Sequence, residues 1–256
     1  MRTGDDAFYD RTLLLGAKRN EVLTLEEVTR YGSERFGDPD YVSIYGLPPS
    51  DWYARGVRLL GRTAVECTRD RLGDLIGQDI AKVARDGVGA VPVIVDPFAG
   101  SANTLFWIRK HLPRSRAVGF ESDSAVFNAT ETNLSVLEID LELHPVDYEA
   151  GLRALVVPDD EPLIVFIAPP WGDALVEKSG LDLRRTSPPM GTIVDLIVKL
   201  FPRHRLLLAI QIYERFDRSA ISELGVDVDS SAIKVYDIDQ PLRNHGLALL
   251  TVGWEQ

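Results

Sequence analysis

The chain has 256 residues, 45% hydrophobic and 26% charged, with a formal net charge of −11. This length admits one large domain or a domain with an appendage, and the composition excludes a long disordered protein. The acidity excludes broad, nonspecific contact with a polynucleotide, which depends on cations meeting phosphates. The charge is uneven: residues 1–90 carry 13 basic and 15 acidic side chains, the remainder 15 and 24.

The first stretch, MRTGDDAFYDR, is polar and acidic and has no apolar run of the signal-peptide kind. No segment approaches the roughly 18 apolar residues that cross a bilayer, so a soluble, cytoplasmic protein without membrane contact is the expectation. Leu13 to Leu15, then Val22, Leu23, Leu25 and Val28, predict short helices. GLPPSDW reads as a break, because its two prolines cannot continue a helix. Trp52 to Val83 reads as largely helical, with Gly61, Gly73 and Gly77 as weak points. Cys67 is the single cysteine, which excludes a disulfide framework and a cysteine-rich zinc site; it is expected as a small buried apolar residue. Residues 1–90 thus form a helical N-terminal extension, packed as a cover beside or over the active edge of a sheet built by the rest of the chain.

From Val91 the signals alternate between strand and helix. VPVIVD, RAVGFE, LELHPVD, PLIVFIAPP and RLLLAIQIY are successive strands, followed by SAIKVYDI and LALLTVGW. Helices are expected over 102–111, over 124–137 behind an Asp123 N-cap, and over about 190–201. The last two strands have no helix signal between them, and RNHG supplies turn residues for a hairpin. Residues 91–256 therefore read as an α/β domain, a Rossmann-like seven-stranded, mostly parallel sheet with a terminal antiparallel hairpin.

Three strand ends carry chemistry. VIVDPFAGSANT places Asp96 at the end of a buried strand and Gly100 in the turn before a helix. In doubly wound sheets ligands bind at this edge, and a glycine lets them approach the backbone. With one glycine, the loop lacks the dinucleotide pattern, and Asp96 suits a ligand ammonium better than a phosphate. Capping of the turn is its bland alternative. Glu121 lies 21 residues past Gly100, close to the spacing at which a carboxylate grips ribose hydroxyls. Asp147 in HPVDY suits an adenine amino group, or equally the N-cap of a helix. In IVFIAPPWGD, Pro169 and Pro170 turn carbonyls outward at the strand's mouth, and Trp171 offers a flat face for a planar ring; an indole buried in the core is the other reading. His111, His144, His204 and His245 are scattered without ligand spacing, so no metal site is expected.

Taken in order, DPFAGSANT, GFESD, APPWGD and GLDLRRTSPP resemble the motifs of the trimethylguanosine synthase family, the RNA cap guanine-N2 methyltransferases. More broadly they resemble class I S-adenosylmethionine-dependent methyltransferases that act on amino nitrogens. The resemblance implies that Asp96, Pro97, Phe98, Gly100, Asn103 and Thr104 line the methionine end of S-adenosylmethionine, with Glu121 on its ribose and Asp147 on its adenine. It further implies a catalytic loop of Ala168, Pro169, Pro170 and Trp171, whose backbone carbonyls hold the acceptor amine while Trp171 stacks on its ring. Arg184 would contact an anionic part of the substrate, or be a solvated helix-end charge. Ala168 departs from the pattern, since such enzymes usually place Asp, Asn or Ser there. The expected activity is N-methylation of a planar heteroaromatic amine, a guanine-type nucleotide or a small molecule. An RNA acceptor, disfavoured by the charge, and a non-catalytic binding subunit of the same fold are the alternatives.

Overall fold

The computed structural model describes residues 10–87, 90–159, 161–176, 179–226, 228, 230–236 and 245–254. Five helices come first: α1 (Arg11–Leu15), α2 (Leu25–Phe36), α3 (Pro49–Ala54), α4 (Gly61–Glu66) and α5 (Asp70–Gly87). Asp10 caps α1, and Thr24 with Glu27 closes a reciprocal capping box on α2, satisfying amides that the first turn leaves free. The two prolines at 48–49 start α3 rather than merely breaking the chain, since a missing N–H costs nothing at a helix's first position. Gly73 and Gly77 are not weak points. A Cβ on either would lie 2.6 Å from the Trp107 ring or 2.7 Å from the Trp107 carbonyl, so these glycines let two helices approach closely.

The sheet comes next, with strands β1 (Val93–Asp96), β2 (Ala117–Phe120), β3 (Glu142–His144) and β4 (Leu163–Ile167). After a short hairpin of β5 (Leu175–Val176) and β6 (Gly180–Leu181) come β7 (Leu206–Tyr213), β8 (Ser230–Val235) and β9 (His245–Val252). The order of the large sheet is β3-β2-β1-β4-β7-β9-β8. All neighbours are parallel except β9, which runs antiparallel to both β7 and β8. This is a Rossmann-like α/β architecture ending in an antiparallel hairpin. The residues expected to turn that hairpin, Arg243 and Asn244, lie outside the described residues, as do the ends of the chain.

Helices α6 (Asn103–His111), α7 (Ser124–Val136), α8 (Tyr148–Ala154), α9 (Met190–Leu200) and α10 (Ser219–Ser222) connect the strands. β1, β2, β4 and β7 are buried at every residue, as near-continuous Val/Ile/Leu runs require when both faces are covered. Alternate residues serve opposite faces. Val93, Val95, Val165 and Ile167 pack with Ile193, Val194 and Ile197 of α9, whereas Ile94, Ile164 and Phe166 pack with α5 and α6 through Leu72, Ile76, Ile80, Leu105 and Ile108. Each such side chain contributes about 1.5–3 kcal/mol by leaving water. Helix α5 thus shares the sheet's core. Helices α1 to α4 build a separate cluster around Leu14, Tyr31, Ile44 and Trp52 that reaches Ala102 and Leu134, above α6 and α7.

The strand order reverses between β1 and β4, where their following chains part to opposite sides. Ligands of open α/β sheets enter at such a point, outside the carboxyl ends of the strands.

Candidate active site at the carboxyl ends of the parallel strands

Asp96 ends β1 fully inside the protein, and its Oδ1 accepts from the Phe98 amide at 3.0 Å. Burial pushes its carboxyl up to about 7, opposed by that N–H and assisted by the nearby Glu121 charge. It has no ion-pair partner among the described residues. A buried acid without a cation is costly to ionise, so this position suits a positively charged ligand group.

The loop beyond it is shaped by unusual backbone. Gly100 has φ +51°, and a Cβ there would meet only the Phe98 carbonyl at 4.0 Å, so one side of the loop is open to close approach. Ala102 is also left-handed, with φ 55°, although it is fully buried and carries a side chain. Strain of this kind persists where surrounding contacts over-determine it, and it clusters at ligand clamps. The Ala102 amide donates to the Ala99 carbonyl at 2.6 Å, and Thr130 Oγ1 donates to the Gly100 carbonyl at 2.8 Å. Pro97 is buried, and Phe98, half-buried, stacks on Tyr148 with ring centres 5.3 Å apart.

Glu121 follows β2 and reaches this loop. Its Oε2 accepts from the Gly100 amide at 3.1 Å and its Oε1 from the Asp123 amide at 2.7 Å. Burial raises its carboxyl as well, against those two bonds. Asp96, Gly100 and Glu121 are therefore brought together, with two carboxylates held at elevated proton affinity on one edge.

Asn103 and Thr104 sit in the first turn of α6, both buried. The Asn103 amide is fully engaged elsewhere: it accepts from the Tyr45 amide at 2.7 Å and donates to the Thr68 carbonyl at 2.7 Å and Asp70 at 3.1 Å. Its side chain ties the N-terminal segment to the loop. Asp147 is exposed and caps α8, its Oδ1 accepting from the Glu149 and Ala150 amides at 2.9 Å each.

Across the switch point, β4 runs into Ala168, half-buried, then buried Pro169 and exposed Pro170. Trp171 is half-buried. It stacks on His245 with ring centres 5.7 Å apart and meets Tyr213 edge-on at 6.2 Å. Tyr213 and His245 are paired across β7 and β9, so the indole leans on the mouths of those strands. Burial lowers His245 to about 4, which keeps the imidazole neutral near pH 7. Arg184 lies beyond the loop, exposed, amid three carboxylates: Asp182 at 2.8 Å, Glu223 at 3.2 Å, and Asp217.

Some of this was invisible in the sequence. Tyr45 and His245 join the site from distant positions, and no local spacing announces them. Arg62, on α4, contacts Asp123 behind the Glu121 turn. Cys67 is half-buried, with its thiol pushed up to about 12 by burial, so it is not a nucleophile at neutral pH. Among the described residues there is no cluster of metal-ligating side chains, and no helix is long and apolar enough to cross a membrane.

No family model matches this chain, and no curated protein matches it. Solved structures resemble it more distantly. An rRNA methylase from Streptococcus thermophilus is 18% identical with a TM-score of 0.45, covering 72% of this chain and 98% of that one. A precorrin-6y C5,15-methyltransferase from Geobacter metallireducens GS-15 is 15% identical with a TM-score of 0.45, covering 72% and 89%. A human methyltransferase 10 domain containing protein is 13% identical with a TM-score of 0.44, covering 70% and 80%.

Proposed function

We propose that this protein is an S-adenosylmethionine-dependent N-methyltransferase acting on an amino nitrogen of a planar heteroaromatic substrate, a guanine-type nucleotide or a small molecule. The observation that carries the reading is Asp96: a fully buried carboxyl, without an ion-pair partner among the described residues, beside an open, left-handed Gly100 turn at the sheet's switch point. Such a site calls for a cation on a ligand that lies along the backbone. S-adenosylmethionine meets it with an ammonium group, and supplies an electrophilic methyl carried on a sulfonium. In this reading Asp96 holds the ammonium, Glu121 the ribose hydroxyls and Asp147 the adenine amino group, while Pro97, Phe98 and Thr104 shape the loop.

The acceptor lies against the loop after β4. The carbonyls of Ala168 and Pro169 accept from its amine and orient the nitrogen lone pair, Pro170 fixes their direction, and Trp171 sets the plane of the ring. Positioning of this kind is worth about 7–11 kcal/mol of a barrier in favourable cases. Neutral His245 backs the indole. Arg184 would meet an anionic substrate group only in exchange for its carboxylate partners. No strong base is required, because the proton leaves after the nitrogen has become cationic.

Mutation separates the two halves of the site. Trp171→Ala is expected to abolish methyl transfer, measured with radiolabelled cofactor and guanine nucleotides, while changing S-adenosylhomocysteine affinity little. Asp96→Ala is expected to weaken cofactor binding itself. Full turnover in both variants would overturn the assignment. Ala168 favours one second reading, a binding subunit of methyltransferase fold, since no side-chain acceptor faces the amine there. Cofactor binding without transfer to any acceptor would support it.

A further inference from the structure

Gln211 interrupts the aliphatic run LLLAIQIY of β7, and it is only 7% exposed. A buried amide is costly unless it is hydrogen-bonded, so its partner matters. That partner is His245, whose Nδ1 lies 3.3 Å from Gln211 Nε2. The ladder brings them together: Gln211 faces Leu247 across β7 and β9, which makes His245 its diagonal neighbour, within reach of a long side chain.

An amide nitrogen only donates, so Nδ1 accepts with its lone pair and the imidazole proton is on Nε2. The backbone of His245 is already held, by its pairing with Tyr213 on one side and on the other by the Tyr236 amide, which donates to its carbonyl at 3.0 Å. The hydrogen bond from Gln211 then fixes what the ladder leaves free, the tautomer and the plane of the ring. Against that ring stands the half-buried Trp171, its centre 5.7 Å away and its plane inclined by 27°. The charges that act on the imidazole, Arg69 and Arg11 of the N-terminal segment, are cationic and join burial in opposing a second proton. A protonated Nδ1 could not accept from Gln211, so the neutral ring and the fixed plane go together.

We propose that Gln211 is a positioning residue for the acceptor: its hydrogen bond to His245 fixes the imidazole plane, and that plane aligns Trp171, the ring on which the acceptor stacks. This rests on the acceptor reading above, and it adds a residue that none of the strand-end motifs contains.

Ring-nitrogen NMR of the isotope-labelled full chain tests it, the His245 signals being those lost in His245→Asn. Wild type is expected to show a neutral His245 protonated on Nε2 between about pH 6 and 8, its ring protons shifted upfield by the Trp171 ring current. Trp171→Ala should remove that shift. Gln211→Met keeps the volume but not the donor, so it should mix the two tautomers and lose most of the shift. Gln211→Glu offers an acceptor instead; it should move the proton to Nδ1 and raise the pH at which His245 titrates, since a carboxylate favours the imidazolium. It serves if the methionine variant fails to fold. In radiolabelled methyl transfer to GTP both variants should lower kcat/KM about 10- to 100-fold, with S-adenosylhomocysteine affinity kept within about twofold. A wild-type His245 protonated on Nδ1, or an unchanged tautomer and ring-current shift in Gln211→Met, would overturn the proposal. So would a loss of S-adenosylhomocysteine affinity in step with the loss of transfer, which marks a space-filling role. Wild type that gives the expected spectra yet methylates no guanine nucleotide would instead overturn the acceptor reading, with the alignment of Trp171 by Gln211 upheld.

Discussion

Asp96 concentrates the conflict between stability and function in one side chain. Its carboxyl is raised from 3.8 to about 7, chiefly by burial. The folded state therefore retains a proton that the unfolded chain has released, and stability falls as pH rises through that window and is level above it. Asp96→Asn removes the titration while keeping the shape. We expect the unliganded variant to melt above wild type at about pH 8, by about 2–4 °C for each kcal/mol recovered, and the difference to shrink toward pH 4. The same variant should lose the thermal shift that S-adenosylhomocysteine gives wild type. A variant that melts lower at pH 8, or still responds to the ligand, would show that Asp96 merely caps its turn.

At the scale of elements, the contact between α5 and α6 depends on two glycines. Alanine in a helix normally gains up to about 1 kcal/mol over glycine, but a Cβ at Gly77 would lie 2.7 Å from the Trp107 carbonyl and 2.8 Å from His111. Backbone cannot yield as a side chain can, so overpacking wins, and Gly77→Ala should destabilise by about 1–3 kcal/mol in urea unfolding. A stabilised variant would show that the helices part freely. The sequence was legible where a pattern is local. The runs VIVD, AVGF, LIVFI and LLLAIQIY are strands, and Asp123 caps its helix. It was misleading where the reason lies in a distant partner, as for these glycines against Trp107. It said nothing of the β5–β6 hairpin, whose strands of two residues each are too short to carry a period, or of α8 beyond its Asp147 cap. In the site, Asp96, Gly100 and Glu121 were readable because each ends a strand or opens a turn. Arg62, Tyr45 and His245 were not, because only the fold brings them there.

On the scale of the molecule, the N-terminal helices and the sheet are joined by buried polar contacts at the candidate site. Asn103, 1% exposed, alone links the Tyr45 amide, the Thr68 carbonyl and Asp70. The net charge of −11 sets a further expectation about the acceptor. A nucleotide or small amine should bind with little dependence on salt. An RNA making 6–10 phosphate contacts would lose about 10³–10⁵ in affinity between 50 and 200 mM salt, and a loss of that size would point to a polymer. In the proposed function the sheet's carboxyl edge binds a zwitterionic adenosyl cofactor through an ionisable Asp96. Calorimetric titration of the folded protein with S-adenosylhomocysteine, repeated between about pH 6 and 8, measures this. One-to-one binding that tightens about tenfold as Asp96 ionises is the predicted result. No binding, or binding indifferent to pH across that range, would contradict it.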